Sequence, residues 1–345
     1  MSPIPRTGAQ ERLSRLRDVR TALVTGVAGQ DGVYLARSLR ASGRRVVGTV
    51  APGFSDADPR RTYLAGIELR PLDVREGAAL EALVAEVAPD EVYNLAALSS
   101  VGRSWEQPEL TAATNAAPVR HLVAALLRLR ERGGVEPRLF QASSAEVRGS
   151  ASDSPYARAK AAADEVVRAA RDEHGLFAVC GILHNHESPL RGAQFVTRKI
   201  TAAAAEIALG RRESVSLGNL DVRRDWGFAG EYVEAMRRQL AHDVPLDLPI
   251  GTGRVHSLQD LLERAFAAAG LGAPDDRVVQ DPALLRPSDT TVFVADPEPA
   301  ATALGWRAQV TFAELVDHMV AVDVRRLRTG VPEAVDYLLP ARIVA

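Results

Sequence analysis

Tyr156 and Lys160 stand four residues apart in Tyr156-Ala157-Arg158-Ala159-Lys160. On a helix that spacing puts the phenol and the ammonium on one face. A nearby ammonium lowers a phenol's pKa, so the oxygen can take a proton from a sugar hydroxyl while hydride leaves the same carbon. Of the 42 basic residues only Lys160 and Lys199 are lysines, leaving 40 arginines. A chain that otherwise uses arginine has kept a compact ammonium at two places, Lys160 for chemistry and Lys199, after Arg198 at a helix start, for holding a nucleotide. Chance survival on an exposed helix is the alternative for each. In Gln141-Ala142-Ser143-Ser144-Ala145-Glu146, Ser144 can hydrogen-bond the hydroxyl that Tyr156 attacks. Glu146, beside the reacting carbon, can serve as base and then acid; a solvated loop carboxylate is the alternative.

Gly26, Gly29 and Gly32 form a G-x-x-G-x-x-G turn. Glycines so placed let the backbone approach a pyrophosphate and aim a helix N-terminus at it. Asp73 in Leu72-Asp73-Val74, and Asn94-Leu95-Ala96-Ala97, fall where an adenine and ribose would lie. Loop caps are the alternative for Asp73 and Asn94.

These residues need a scaffold, and the hydrophobic periodicity supplies one. Strand candidates lie at 21–26, 45–50, 66–69, 91–96, 137–141 and 177–183, with helix candidates at 30–39, 78–87, 117–132 and 154–174 between most of them. Such alternation predicts an α/β fold, a doubly wound parallel sheet with helices on both faces. After Leu183 the alternation weakens, and two helices near 197–209 and 257–269 stand among loops. The expected division is a polar tail at 1–20, a dinucleotide-binding domain at 21–183, and a smaller, mainly substrate-binding region at 184–345 with segments returning to the first domain.

Composition narrows the function. The 345 residues, 46% hydrophobic and 25% charged, fit a globular chain,. A net charge of −2 gives no basic field for nucleic acid or an anionic membrane,. The longest apolar runs, such as Leu176 to Leu183, fall well short of the roughly 20 residues of a membrane span. The first 20 residues carry Glu11 and Asp18 among arginines and read as a tail rather than a secretory signal,. Cys180, the single cysteine, reads as a buried structural thiol in a reducing cytoplasm. No metal site is expected.

The turn Thr25-Gly26-Val27-Ala28-Gly29-Gln30-Asp31-Gly32, the segment Gly181-Ile182-Leu183-His184-Asn185-His186-Glu187-Ser188-Pro189, then Phe195-Val196-Thr197-Arg198-Lys199-Ile200, Leu217-Gly218-Asn219-Leu220-Asp221 and Arg224-Asp225-Trp226-Gly227 closely resemble the GDP-mannose 4,6-dehydratases of the extended short-chain dehydrogenase/reductase superfamily. The resemblance runs from about Ala22 to Val322, and its Asn-His-Glu-Ser-Pro and Arg-Asp-Trp-Gly segments are more specific than the glycine turn. It implies a Rossmann-type sheet with Ser144, Glu146, Tyr156 and Lys160 catalytic. It implies NADP, with NAD as the alternative, on Gly26, Gly29, Gln30, Asp31, Gly32, Asp73, Leu95, Ala96, Ala97, Ser99, Tyr156, Lys160, His186 and Arg191. A nucleotide sugar, GDP-mannose, would lie on Asn185, Val196, Lys199, Gly218, Asn219, Arg224 and Arg286. Both Arg224 and Arg286 suit a diphosphate, although pairing with Asp225 or Asp289 is the structural alternative.

The implied reaction is oxidation at C4, loss of water across C5 and C6, and hydride return to C6, with Tyr156 taking the C4 hydroxyl proton and Glu146 the C5 proton. A nucleotide-sugar epimerase or variant dehydratase, and a non-catalytic cofactor-binding regulator, are the rival readings. Three departures from the family pattern reshape the expected pocket. Val50-Ala51-Pro52-Gly53 replaces an arginine pair that would hold a 2′-phosphate, with Arg60 and Arg61 following later, and no acid stands there for NAD. Arg148 replaces an aromatic, and Tyr156 follows Glu146 by only ten positions. Leu110 replaces a tyrosine. A homodimer is expected through the helices at 117–132 and 154–174.

Overall fold

Strand propensity and burial coincide in Thr21–Thr25 (β1), whose five side chains are all buried, as a strand covered on both faces requires. The computed structural model describes residues 20–133, 135–147, 153–284 and 292–340. Five further strands follow, Arg45–Val50 (β2), Glu68–Pro71 (β3), Glu91–Asn94 (β4), Arg138–Ala142 (β5) and Phe177–Leu183 (β6). With Leu248–Ile250 they make one seven-stranded parallel sheet in the order 248–250, β6, β5, β4, β1, β2, β3. β1 pairs with β2 on one side and β4 on the other. The strand order therefore reverses there, and a crevice opens at the carboxyl ends.

Because side chains alternate across a strand, each strand feeds two cores. Leu23, Val47, Val92 and Leu139 pack in one with the helices Gly77–Val87, Ala117–Glu131 and Pro155–His174. Ala22, Val24, Val46 and Phe140 belong to the other, with Gln30–Ala41 and Ala229–Ala241. Pro155–His174 is bounded by its own sequence: Ser154 Oγ accepts the Ala157 N–H at 3.0 Å, Pro155 opens the first turn, and Gly175 at φ +65° ends it,.

A ladder of buried side chains crosses the carboxyl edge of the sheet. Thr25 Oγ1 donates to Asn94 Oδ1 at 2.7 Å, and Asn94 Nδ2 donates to Gln141 Oε1 at 2.7 Å. Thr25 Oγ1 also accepts the backbone N–H groups of Leu95 and Ala96 at 3.0 and 3.1 Å. The loop after β4 is thereby held against the glycine turn.

Beyond β6 the helices Val196–Ala208, Leu258–Ala268 and Phe312–Thr329 join the larger core with three two-stranded ribbons. Asp225, fully buried, accepts from Thr252 N and Oγ1 at 3.0 and 2.6 Å, Gly253 N at 2.9 Å and Ala295 N at 3.2 Å. That carboxylate ties the Arg-Asp-Trp-Gly segment to the end of Leu248–Ile250. The Arg198 guanidinium is likewise bound to buried Asp323.

The periodicity located the strands of the first half, with one shift. The third strand is Glu68–Pro71 rather than 66–69, because Gly66 at φ +77° is the turn before it. The structure adds two short helices, Val101–Glu106 and Pro108–Asn115, and in the second half, where two helices are expected, also Ala229–Ala241, Glu298–Leu304 and Phe312–Thr329. Arg286, Arg148, Asp289 and the tail through residue 19 lie outside the described residues. Cys180 is buried, and burial pushes its thiol pKa up. Among the described residues no helix is long and apolar enough to cross a membrane.

His318, on Phe312–Thr329, lies edge-on to Phe228 at 6.3 Å, and burial pushes its imidazole from 6.5 down to about 4. The unfolded chain then takes up the proton first on acidification. Stability from this residue is complete above the unfolded value and is lost as pH falls through the folded one. The loss is on the order of 3 kcal/mol. Urea midpoints should therefore fall between about pH 6.5 and 4 less steeply in His318→Leu than in the wild-type chain.

Candidate active site

A cleft of about 1650 Å³ runs across the carboxyl edge of the sheet. The candidate site residues line it from Gly26 at one end to Arg224 at the other; Asn94 does not line it, and Arg286 lies outside the described residues.

The glycine turn forms one wall. Gly26 sits at φ +69°, and a Cβ there would lie 2.9 Å from Ala96 Cα; a Cβ at Gly32 would lie 2.5 Å from Gly26 O. Both positions thus require glycine, one for handedness and the other for close helix packing. At Gly29 an added Cβ would meet only Gly26 O, at 3.2 Å, and the Gly29 N–H donates to that same oxygen at 3.0 Å, which closes the turn ahead of helix Gln30–Ala41.

That first turn is tied to the Asn-His-Glu-Ser-Pro segment. His186 Nε2 lies 2.9 Å from Asp31 Oδ2, and its Nδ1 lies 2.7 Å from His184 O. Gln30 Nε2 donates to His186 O at 3.0 Å while Ser188 Oγ donates to Gln30 Oε1 at 2.9 Å. Burial works against the imidazolium, yet the Asp31 carboxylate prevails and raises the His186 pKa. Asp31 is correspondingly lowered, with burial again opposing. Arg191 lies 3.1 Å from Glu187 and 3.6 Å above the Phe195 ring,.

The side chain of Asp73 behaves as a loop cap: it accepts the Arg75 N–H at 3.0 Å and pairs with the Arg75 guanidinium, which lowers its pKa. Asn94 belongs to the buried ladder and not to the cleft wall. Leu95, Ala96, Ala97 and Ser99 do line the cleft. Arg60, which the sequence offered beside Arg61, also lines it, paired with Asp58 and 5.2 Å above Phe54; Arg61 is bound to Asp56 instead.

Tyr156, Lys160, Ser144 and Glu146 converge at the middle of the cleft. Lys160 is 4% exposed, and its Nζ donates to Ala142 O at 2.7 Å. Burial pushes its pKa from 10.5 down to about 8, with Asp164 and Asp31 opposing. Tyr156 corrects the sequence expectation of a lowered phenol. Burial, reinforced by the negative charge of Glu146, raises it to about 12, and the hydrogen bond with Ser144 offsets only part. Lys160, turned to the Ala142 carbonyl and 6.0 Å from the ring centre, does not reverse that balance. Glu146 stands in the short turn Ala145–Val147, at the cleft and partly buried.

The far end is built by Leu217, Gly218, Asn219 and Arg224 with Trp226, Phe293 and Leu284. A Cβ at Gly218 would lie 2.8 Å from Leu284 O, so this backbone passes as close as only glycine allows. Asn219 Oδ1 accepts the Asp221 N–H at 2.9 Å, which fixes the turn. Arg224 lies 5.4 Å from the Phe293 ring. Asn185, Val196, Lys199 and Leu110 complete the wall between the two ends.

Sequence reasoning missed Phe54, Trp105, Gln194, Trp226 and Phe293 as cleft residues. Of these only Trp226 stood in a motif already singled out. Among the described residues no cluster of His, Cys, Asp and Glu could hold a metal ion.

A family model described as GDP-mannose 4,6 dehydratase matches residues 23–319. The chain is 37% identical to GDP-mannose 4,6 dehydratase 2 of Caenorhabditis elegans, over 90% of this chain and 91% of that one. It is 36% identical to GDP-mannose 4,6 dehydratase of Homo sapiens, over 95% of this chain and 97% of that one. Among solved structures, RMD from Pseudomonas aeruginosa complexed with NADPH superposes with a TM-score of 0.73 at 21% identity, covering 89% of this chain and all of the other. At that identity the likeness speaks to the fold alone.

Proposed function

We propose, from the premise that the chain belongs to the GDP-mannose 4,6-dehydratase family, that it converts GDP-mannose into GDP-4-keto-6-deoxymannose. One observation carries the reading: Tyr156, Lys160, Ser144 and Glu146 meet at the centre of a cleft whose ends are a glycine turn and the 217–224 segment. Glu146 in that group favours a dehydratase over an epimerase, which has no need of a carboxylate there.

The residues fit a nicotinamide dinucleotide. Gly29 brings no side chain to the N-terminus of Gln30–Ala41, where a pyrophosphate is favoured,. Leu95, Ala96 and Ala97 would flank it, with Arg191 and the His186–Asp31 pair on the facing segment. Arg60 gives the adenosine end a guanidinium, which supports NADP over NAD. When bound, the nicotinamide supplies the hydride acceptor for C4 and the donor for C6.

The chain's own residues move the protons. Tyr156 takes the C4 hydroxyl proton, helped by the Ser144 hydrogen bond and by the Lys160 ammonium beneath the ring. The C4 ketone acidifies C5–H, and Glu146 takes that proton and passes it to the C6 hydroxyl, which leaves as water. The proton that Tyr156 took from the C4 hydroxyl returns to C5 as hydride returns to C6, which completes the product and restores the residue. Lys199, Arg224 and the Gly218–Asn219 backbone would hold the nucleoside diphosphate, and Asn185 and Val196 the sugar side.

Within the same reading, residues 21–183 serve the cofactor and most of 184–345 the substrate. A reducing cytoplasm fits the buried Cys180 thiol,. A homodimer through Ala117–Glu131 and Pro155–His174 is supported by the small, half-buried Ala161, Ala162 and Ala169 on the outer side of the second helix, which let another helix approach. Light scattering should return twice the monomer mass, and a stable tetramer at low concentration would rule that assembly out.

Glu146→Gln tests the chemistry. Turnover to the 4-keto-6-deoxy product should fall by about 10² to 10⁴, while C4 oxidation persists as reduced-nicotinamide absorbance that does not decay. Wild-type release of product by the variant would remove Glu146 from the reaction.

A further inference from the structure

Asp164 lies one helical turn beyond Lys160 on Pro155–His174, in the run Ala161-Ala162-Ala163-Asp164, where helix formation needs no acid. Its side chain is 1% exposed, and a buried carboxylate is costly unless polar partners replace its water. Those partners gather on one oxygen, Oδ2, while Oδ1 has no hydrogen-bond partner among the described residues, and burial raises the Asp164 pKa against them. Ser143 Oγ donates to Asp164 Oδ2 at 2.5 Å, Arg168 approaches to 3.6 Å, and Lys160 and Cys180 lie within its field.

Ser143 is the residue between the two anchors of the catalytic pair. On one side the Ala142 carbonyl accepts from Lys160 Nζ at 2.7 Å. On the other the Ser144 hydroxyl hydrogen-bonds the Tyr156 phenol. The Ser143 N–H donates to Gly181 O at 2.9 Å, so its side-chain bond to Asp164 adds a third tie between this stretch of backbone and the helix carrying Tyr156 and Lys160.

We propose that Asp164 is a positioning residue: through Ser143 it fixes the Ala142–Ser144 backbone on which Lys160 and Tyr156 are anchored, and its buried charge holds Lys160 as an ammonium. Its effect on turnover rests on the 4,6-dehydratase reading, whereas its hold on Lys160 does not. The groups facing Lys160 are Asp164 on its own helix, Asp31 on Gln30–Ala41 and Cys180 on β6, with Tyr156 a turn earlier. Asp31 is committed to His186 at 2.9 Å, and burial keeps the Cys180 thiol neutral. Of the two carboxylates that raise the Lys160 pKa, Asp164 acts the more strongly, and without it burial carries the lysine lower still,.

The two-lysine composition makes the test direct. Protein labelled with ¹³C at lysine Cε gives two lysine signals, and Lys199→Arg assigns them. Asp164→Asn should lower the Lys160 titration midpoint by about one pH unit, a tenfold change in proton affinity, and leave Lys199 unmoved. The alkaline limb of kcat should move down with it at little change in KM. Ser143→Ala, which keeps the charge and removes the hydrogen bond, should lower kcat several-fold without moving the Lys160 midpoint. Arg168→Gln removes a cation that opposes Asp164 from a part-exposed position, so it should move Lys160 upward; it decides the question if Asp164→Asn does not fold. An unmoved Lys160 signal in folded Asp164→Asn, or otherwise in Arg168→Gln, would overturn the proposal. The titration needs no turnover, so a wild-type enzyme that left GDP-mannose unchanged would sink the dehydratase reading while the signals still decided the role of Asp164.

Discussion

An ammonium withdrawn from water persists only where fixed groups replace its hydration, and much of the active centre follows from meeting that requirement for Lys160. Its Nζ reaches Ala142 O, so β5 must end with that carbonyl aimed at the helix and not at a neighbouring strand. The helix in turn must begin where Ser154 caps it, because one residue of slippage would rotate Tyr156 and Lys160 by about 100° away from the cleft. Ser144 and Glu146 then fall opposite the phenol as a result of where β5 stops.

The same edge is held from the other side by the Thr25, Asn94 and Gln141 side chains. Each would be a liability if unpaired in a parallel sheet with both faces covered. Paired, they align the ends of β1, β4 and β5, which carry the glycine turn, the Leu95–Ala97 wall and Ser144. Asp225 does the equivalent work for the far wall, drawing Arg224 and Trp226 toward the edge strand Leu248–Ile250 through backbone donors. A cofactor cleft and a nucleotide-sugar cleft are continuous because both are attached to one sheet edge.

Local pattern made much of this legible in the sequence. Glycine spacing, the Tyr156–Lys160 interval and the alternation of apolar runs depend on neighbours a few residues away, and the first-half sheet was read from them with one strand shifted. What escaped depends on partners far along the chain. Asn94 reads as a ligand-facing loop residue until Thr25, 69 positions earlier, claims its oxygen. Asp73 was open between two readings until Arg75 took its carboxylate. The direction of the Tyr156 shift was misjudged because helical spacing reveals that Lys160 is near and conceals how deeply the phenol is buried. Val101–Glu106 and Pro108–Asn115 are too short for a periodic signal and are separated only by Gln107. Asp164 carries no local signal, because its partner Ser143 lies 21 positions earlier.

In the proposed reaction a single cleft removes hydride from C4 and returns it to C6 of the same sugar while Glu146 eliminates water between. Incubating the enzyme with GDP-mannose deuterated at C4, in ordinary water, and locating the label by NMR and mass spectrometry tests that claim most directly. The account predicts a 4-keto-6-deoxy product carrying the deuterium on C6, undiluted by solvent. Deuterium lost to water, or retained at C4 in an epimerised sugar, would contradict it.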